Sequence, residues 1–209
     1  AINIIDGLNG LAAGVVMLCL AALGFIAYSA GDNDLAKLCF IVGSVTMGFM
    51  LVNYPLGKIF LGDGGAYLLG FLLGWIAVMV TARNPTVSPW APLLACGYPI
   101  IEVVFSMVRR SARTKKIGHP DRLHLHTLIW ARVTKIHLSN RKAVAQNAAA
   151  LPFILFYAAI PAGLAVIFKT NTLALIFCFG LCAGIYALIY IRLIKFRWAR
   201  PNFKYKNLK

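Results

Sequence analysis

Six apolar segments separated by short polar stretches limit how this chain can fold more than any other feature. They cover residues 11–30, 35–52, 64–82, 89–108, 148–168 and 172–194. Each is close to the roughly 20 residues that a helix needs to cross a bilayer. Lipid offers no hydrogen-bond partner to an unpaired backbone group, so spans of this kind form helices. The sequence therefore predicts an all-α, polytopic transmembrane helix bundle of about six spans.

The composition excludes a soluble or a disordered protein. Of the 209 residues, 60% are hydrophobic and only 13% are charged, and the mean hydropathy is +0.77. A soluble domain is roughly 45–50% apolar and about 25% charged. The length fits one transmembrane domain over residues 1–209. The five cysteines lie in apolar stretches and form no CxxC pair, so we expect buried free thiols.

The basic residues are distributed unevenly along the chain, which carries a net charge of +15. Six spans would place both chain ends and the loops 53–63 and 109–147 on one side of the membrane. All but three of the 21 Lys and Arg fall on that side, the exceptions being Lys37, Arg83 and Lys169. Because cytoplasmic loops carry an excess of Lys and Arg, we expect the basic side to be cytoplasmic. The charge then indicates topology, and nucleic acid is only a weak alternative partner.

The first polar motif lies directly before the first span and reads NIIDGLNG from Asn3. On a helix, Asn3, Asp6 and Asn9 would recur at three-residue intervals along one stripe. Amide and carboxylate groups in such a stripe suit a nucleobase, a sugar or a metal. The alternative is a polar helix entry, where Asp and Asn are common, and the spacing alone favours it.

The second motif runs from Asn53 to Gly65 and places Asp63 between glycines at the start of the third span. It is not a P-loop, because Ile59 stands where Ser or Thr is required. Glycines beside a carboxylate let the backbone approach a phosphate closely. Mg²⁺ is typically bound by one or two carboxylates together with substrate phosphates. A glycine-rich turn with Asp63 as a helix cap is an equally good interpretation.

The third motif, HPDRLHLH at residues 119–126, places Arg122, His124 and His126 on one face if the segment is extended. Arg is well suited to binding phosphate, so this face favours a phosphate or diphosphate. A zinc site would need a thiol or a third well-spaced His, which the motif lacks. An amphipathic helix at the membrane surface is the structural alternative and is compatible with the binding role.

Glu102 is the one carboxylate predicted inside a span. Such a residue is a candidate functional site by default. It is equally a candidate structural partner for Arg109, Arg110 or a polar group on another helix, and we favour the structural role. A transporter would place several ionisable groups near mid-membrane, often with internal repeats. Only Glu102 is clearly inside and no repeat is evident, so a transporter or a membrane scaffold is the alternative function.

Taken in order, the three motifs resemble those of the polyprenyl-phosphate N-acetylhexosamine-1-phosphate transferase family, in its WecA- and TagO-like branch and more distantly in MraY. NIIDGLNGLAAG is similar to the family's Asn-x-x-Asp-Gly-x-(Asp/Asn)-Gly-Leu motif. KIFLGDGGAYLLG is similar to Phe-(Met/Leu)-Gly-Asp-x-Gly-(Ser/Ala), and HPDRLHLHTLI to Pro-Asp-Arg-x-His-x-His. The resemblance covers most of the chain.

The resemblance implies a magnesium-dependent enzyme at the cytoplasmic face of a bacterial inner membrane. It would transfer HexNAc-1-phosphate from a UDP-N-acetylhexosamine to undecaprenyl phosphate and release UMP. This is the first membrane step of cell-wall or lipopolysaccharide synthesis, for example of O-antigen or teichoic acid. A homodimer is left open. The implied roles are catalysis for Asp6 and Asp63, Mg²⁺ binding for Asp63, and substrate binding for Asn3, Asn9, Asn53, Arg122, His124 and His126.

This sequence departs from the family pattern at three points. Asn9 stands where many members have a second Asp, which weakens any metal role there, and Thr127 stands where some have a further His. The family's upstream aspartate pair is absent, and the chain has no initiator Met. We therefore expect the chain to be the C-terminal part of a longer enzyme and to be inactive on its own.

The predicted topology can be tested by labelling intact cells from outside. Single cysteines placed at Ser111 and Ser139 should stay unmodified by a membrane-impermeant maleimide, because both lie in the cytoplasmic 109–147 loop. A cysteine at Asn171, in a predicted outer loop, is the positive control. Strong labelling at Ser111 or Ser139 would overturn the topology.

Overall fold

The structure is a computed structural model that describes residues 1–111 and 123–195, and the regular elements in these ranges are all helical. A π-helical turn, Trp130–Thr134, joins α7 to α8. The helices are α1 (Ile2–Ile5), α2 (Leu11–Ser29), α3 (Asn33–Asn53), α4 (Gly62–Arg83), α5 (Trp90–Ala95), α6 (Gly97–Ser111), α7 (Leu125–Ile129), α8 (Lys135–His137), α9 (Ala143–Ala148), α10 (Leu151–Ile167) and α11 (Thr172–Lys195).

Within the described residues, five helices are long and apolar enough to cross a membrane. These are α2, α3, α4, α11 and the continuous stretch of α9 and α10 from Ala143 to Ile167. The predicted polytopic helical bundle is thereby confirmed. The predicted span at 89–108 differs, because it consists of two shorter helices, α5 and α6, separated at Cys96.

The break between α5 and α6 has a local cause in Pro99. A proline inside a helix cannot donate to the carbonyl four residues earlier, and its ring clashes with that carbonyl. For Pro99 this carbonyl belongs to Ala95, the last residue of α5. Proline is tolerated in a first helical turn, so a new helix begins at Gly97 with Pro99 in its first turn. The break lets Gly97 pack against Pro161 of α10, since a Cβ at Gly97 would lie 3.0 Å from the Pro161 Cβ.

Helix α2 is the centre of the bundle and is buried along most of its length. It packs against α3, α4 and α10. Its approach to α3 is close, because a Cβ added at Gly24 would lie 3.1 Å from the Cys39 Cβ. All five cysteines are buried and free of disulfides, as the sequence predicted.

The loops at the two ends of the bundle differ in character. At the end where α2 leads into α3, the Asp32 carboxylate receives two short contacts from the Arg83 guanidinium, at 2.8 and 2.9 Å. Asp32 also caps α3 by accepting from the Leu35 N–H at 3.2 Å. At the same end, Lys169 donates to Ser29 at 2.6 Å. The Asp32 side chain is only 8% exposed, so the ion pair is structural.

Asp32→Ala should lower the free energy of unfolding by about 1–2 kcal/mol, because it removes a helix cap and one partner of a partly buried ion pair. Thermal unfolding of the detergent-solubilised protein measures the change. Asp34→Ala is the matched control. Asp34 pairs with Lys37 in the same turn, but both side chains are more than 70% exposed, so its loss should cost less than about 0.5 kcal/mol. Equal losses in both variants would contradict the assignment.

Candidate active site

The residues of the three motifs that the structure describes meet at the opposite end of the bundle. The segment between α1 and α2 contacts the C-terminal end of α3, because the Gly10 N–H donates to the Asn53 side chain. The same segment contacts α7, since a Cβ at Gly7 would lie 2.6 Å from His126 Nε2. Segments more than 40 residues apart in sequence are thus assembled into one polar surface beside the apolar helices.

Asn53 braces two loops from a buried position. It is 6% exposed, its Oδ1 accepts from the Gly10 N–H, and its Nδ2 donates to the Ile59 carbonyl at 2.6 Å. The amide therefore uses both its donor and its acceptor within the protein. A substrate contact by Asn53 stays a prediction, while its bracing of the loops is observed.

Asn9 connects a third element to the same assembly. Its backbone N–H donates to Asn147 Oδ1 at 2.9 Å, and its side chain donates to the Pro55 carbonyl at 3.1 Å. Gly57, at φ +63, lies so close that a Cβ there would be 2.8 Å from Asn9 Nδ2. Sequence reasoning missed Asn147 altogether. Its only signal was a polar residue just before a long apolar segment.

Asp6 and Asp63 are both exposed at this end of the bundle. Asp6 follows α1 directly, and its partial burial raises the pKa of the carboxyl above the ordinary value. Asp63 lies in the first turn of α4, against which α1 packs. Nearby, Asn3 donates to the Tyr67 hydroxyl at 3.4 Å. Asp63 of α4 and Asn3 of α1 thus lie on two helices that pack against each other.

The exposed carboxylate of Asp63 suits Mg²⁺ better than it suits a metal whose ligands all come from the protein. No group of three or more His, Cys, Asp or Glu side chains is positioned to hold a metal within residues 1–111 and 123–195. Mg²⁺ keeps several waters and is usually held by one or two carboxylates plus substrate phosphates. An exposed carboxylate at a helix start suits that mode of binding.

His124 and His126 form a parallel stack, with ring centroids 5.4 Å apart and an interplanar angle of 3°. The segment is not extended as expected: His124 has an extended backbone, but His126 lies within α7. His126 is 3% exposed, and its burial lowers the pKa to about 4. It is therefore neutral at neutral pH and adds no positive charge to a phosphate site at this motif. Arg122 lies outside the described residues.

Glu102 joins this site from α6. Its Oε1 lies 3.0 Å from His124 Nδ1 and accepts from the Leu125 N–H at 3.2 Å. The sequence favoured a structural partner for Glu102, and the structure shows one of the open alternatives, a polar group on another element. Spacing could not identify that group, because His124 is 22 residues away in sequence.

Acidification should destabilise the fold through His126. The pKa of His126 is about 4 in the folded protein and 6.5 ordinarily. As the pH falls, the unfolded chain binds this proton first, so stability is lost from about pH 6.5 down to about pH 4. Between about pH 7 and pH 5 the free energy of unfolding should fall by about 2 kcal/mol more in the unmodified protein than in His126→Gln.

Thermal unfolding at a series of pH values measures this difference. The control is His137→Gln, which removes an exposed imidazole and should keep the pH slope of the unmodified protein. If His126→Gln leaves the pH dependence of the free energy of unfolding unchanged, the assignment of His126 as a buried, neutral imidazole is wrong.

The chain is similar to a known family model and to bacterial relatives. Residues 1–81 match the family model described as glycosyl transferase family 4. The chain is 34% identical over 145 residues to a probable undecaprenyl-phosphate N-acetylglucosaminyl 1-phosphate transferase of Bacillus subtilis (strain 168), covering 69% of this chain and 39% of that protein.

Two enterobacterial relatives named undecaprenyl-phosphate alpha-N-acetylglucosaminyl 1-phosphate transferase give similar matches. The Escherichia coli (strain K12) protein is 34% identical over 134 residues, covering 62% of this chain and 36% of that protein. The Yersinia pestis protein is 32% identical over 134 residues, covering 62% and 37%. No solved structure matches.

The chain spans less than two fifths of the length of these relatives. The family model covers the first two motifs and ends before the third. Residues 1–81 are thus similar to glycosyl transferase family 4, and the resemblance of the chain to undecaprenyl-phosphate N-acetylglucosaminyl 1-phosphate transferases is confirmed.

Proposed function

We propose that the protein containing this chain transfers N-acetylhexosamine 1-phosphate from a UDP-N-acetylhexosamine to undecaprenyl phosphate and releases UMP. The observation that carries the proposal is the convergence of the motifs: the Asp6-Gly7 segment lies directly against His126, which is more than 100 residues away in sequence. The relatives are transferases by name, which favours this function over the transporter.

Asp63 is the proposed Mg²⁺ ligand, with Asp6 as the second acidic group of the site. Bound Mg²⁺ would neutralise the charge that develops on the diphosphate as UMP leaves. The residues of the chain hold the two substrates in line, because phosphoryl transfer depends mainly on positioning and charge neutralisation. The exposed positions of both carboxylates leave them accessible to a phosphate.

The sugar nucleotide is assigned to the surface between the first and third motifs. His124 and Arg122 would face the diphosphate and the sugar, and Asn3 would contribute a polar contact beside Tyr67. Asn9 and Asn53 support this surface through the hydrogen bonds that fix its loops. Arg122 suits the diphosphate because its planar guanidinium binds phosphate through two parallel hydrogen bonds.

An apolar groove of about 640 Å³ adjoins this surface and fits the prenyl chain. It begins beside Asn3 and Tyr67 and continues along α4 to Thr81, with Pro92 on its other wall. The fourteen residue steps along the helix from Tyr67 to Thr81 rise about 21 Å, which is most of the roughly 30 Å hydrocarbon thickness. A polyprenyl phosphate lying there would keep its tail in an apolar environment and its phosphate near the carboxylates.

The site is proposed to face the cytoplasm of a bacterial cell, at the inner membrane. The α3–α4 loop and the 109–147 segment carry most of the basic residues outside the two chain ends, and basic loops attract anionic substrates. The product would supply cell-wall or lipopolysaccharide synthesis.

Asp63→Asn should remove most transferase activity and weaken its dependence on Mg²⁺, because an amide is a poorer Mg²⁺ ligand than a carboxylate. The assay measures UMP release from UDP-N-acetylglucosamine with undecaprenyl phosphate across a Mg²⁺ titration, using the protein encoded by the complete reading frame. Asp34→Asn is the matched control, since Asp34 is also exposed in the first turn of a membrane-length helix but lies at the other end of the bundle.

We expect Asp34→Asn to retain normal activity. Near-normal turnover and an unchanged Mg²⁺ titration in Asp63→Asn would refute the metal assignment. No UMP release by the unmodified protein with any UDP-N-acetylhexosamine would refute the proposed function.

A further inference from the structure

Glu102 is a buried carboxylate that makes no proposed contact with either substrate. It is 1% exposed, on a helix whose neighbouring positions are mostly apolar. Removing an ionisable group from water is costly unless a partner compensates for it. The groups that Glu102 contacts must therefore compensate for the burial of its carboxylate.

Two hydrogen bonds of Glu102 fix the same short segment. Its Oε1 lies 3.0 Å from His124 Nδ1 and 3.2 Å from the Leu125 backbone nitrogen. One oxygen thus holds the imidazole of His124 and the first peptide N–H of α7 together. The backbone and the side chain of the third motif are anchored to α6 at one point.

This anchor determines which ring nitrogen of His124 carries hydrogen. Oε1 of Glu102 already accepts from the Leu125 N–H, and a carboxylate oxygen that carries no hydrogen only accepts, so His124 Nδ1 is assigned as the donor. The hydrogen bond made by one ring nitrogen fixes the tautomer and the orientation of the other. His124 Nε2 is then the ring atom that remains for the substrate, and in the neutral imidazole it accepts a hydrogen bond, for example from a sugar hydroxyl.

The orientation of His124 is passed on to the rest of the site by packing. The His124 ring stacks in parallel on His126, and His126 lies against Gly7, next to Asp6. A rotated His124 ring would lose this stack. Glu102 is therefore joined through two imidazoles to the loop that carries the first acidic residue of the site.

We propose that Glu102 is a positioning residue that fixes the tautomer and ring orientation of His124 for binding of the sugar nucleotide. The substrate part of this inference rests on the proposed function. The Glu102–His124 hydrogen bond itself is independent of it.

The first test uses ¹⁵N spectra of the unmodified protein labelled at its four histidines, with His124→Asn to assign the resonance. We expect Nδ1 of His124 to be protonated. In Glu102→Gln, which keeps the shape of the side chain, the His124 resonances should shift because the charged acceptor is lost. A His124 with its only proton on Nε2 in the unmodified protein would overturn the inference, whatever the variant does.

The second test is kinetic and uses the same protein in membranes with UDP-N-acetylglucosamine. Glu102→Gln should lower kcat/KM by about tenfold to a hundredfold, the range seen when partners that orient a site ligand are removed. Tyr157→Phe is the matched control, because it removes a buried hydrogen bond to the Cys182 carbonyl, 2.7 Å long, without touching His124.

An equal loss of kcat/KM in Glu102→Gln and Tyr157→Phe would mean that Glu102 only stabilises the fold, and it would refute the positioning role. If the unmodified protein has no transferase activity but shows the expected ¹⁵N pattern, the proposed function fails while the tautomer assignment holds. A normal kcat/KM in Glu102→Gln together with shifted His124 resonances would refute the functional part of the inference alone.

Discussion

The side chain of Asn53 links two segments that have no regular structure of their own. Its acceptor holds the turn before α2, and its donor holds the loop before α4. An amide is the side chain for this task, because it offers a donor and an acceptor at fixed geometry. Leaving a buried polar partner unsatisfied costs about 1–3 kcal/mol. The buried amide of Asn53 therefore helps to fix the segment that follows Asp6 relative to the loop that precedes Asp63. Asn9 and Asn147 form a further hydrogen bond that connects the first of these segments to α9.

The two ends of the bundle differ in whether their carboxylates are paired with a basic side chain. At one end, Asp32 is matched by Arg83, so these two charges are balanced within the protein. At the other, Asp6 and Asp63 are exposed and make no ion pair within the part of the chain that the structure describes. Carboxylates without a protein partner are available to a cation or a polar substrate. The contrast distinguishes a structural end from an end suited to chemistry.

The sequence was sufficient for the helical spans and for the convergence of the motifs, because apolar length and loop topology are properties of local sequence. It was insufficient wherever tertiary contacts determine the burial or the partner of a side chain. The burial of His126 depends on the close approach of Gly7, and the partner of Glu102 comes from another helix. The division of α5 from α6 was within reach, since Pro99 is visible in the sequence, but hydropathy alone treats the segment as continuous. The supporting role of Asn53 was hidden because a binding amide and a bracing amide have the same local pattern.

The enclosure of α2 has a consequence for how the molecule is made. Helix α3 follows α2 directly and covers one side of it as a hairpin, whereas α10 arrives more than 100 residues later. Transmembrane helices insert first and associate afterwards. Until α10 is synthesised, α2 lacks this packing partner, and the contact between Asn147 and Asn9 cannot be held in place by the packing of α10 on α2. The order of synthesis thus makes closure of the polar end a late event in biogenesis.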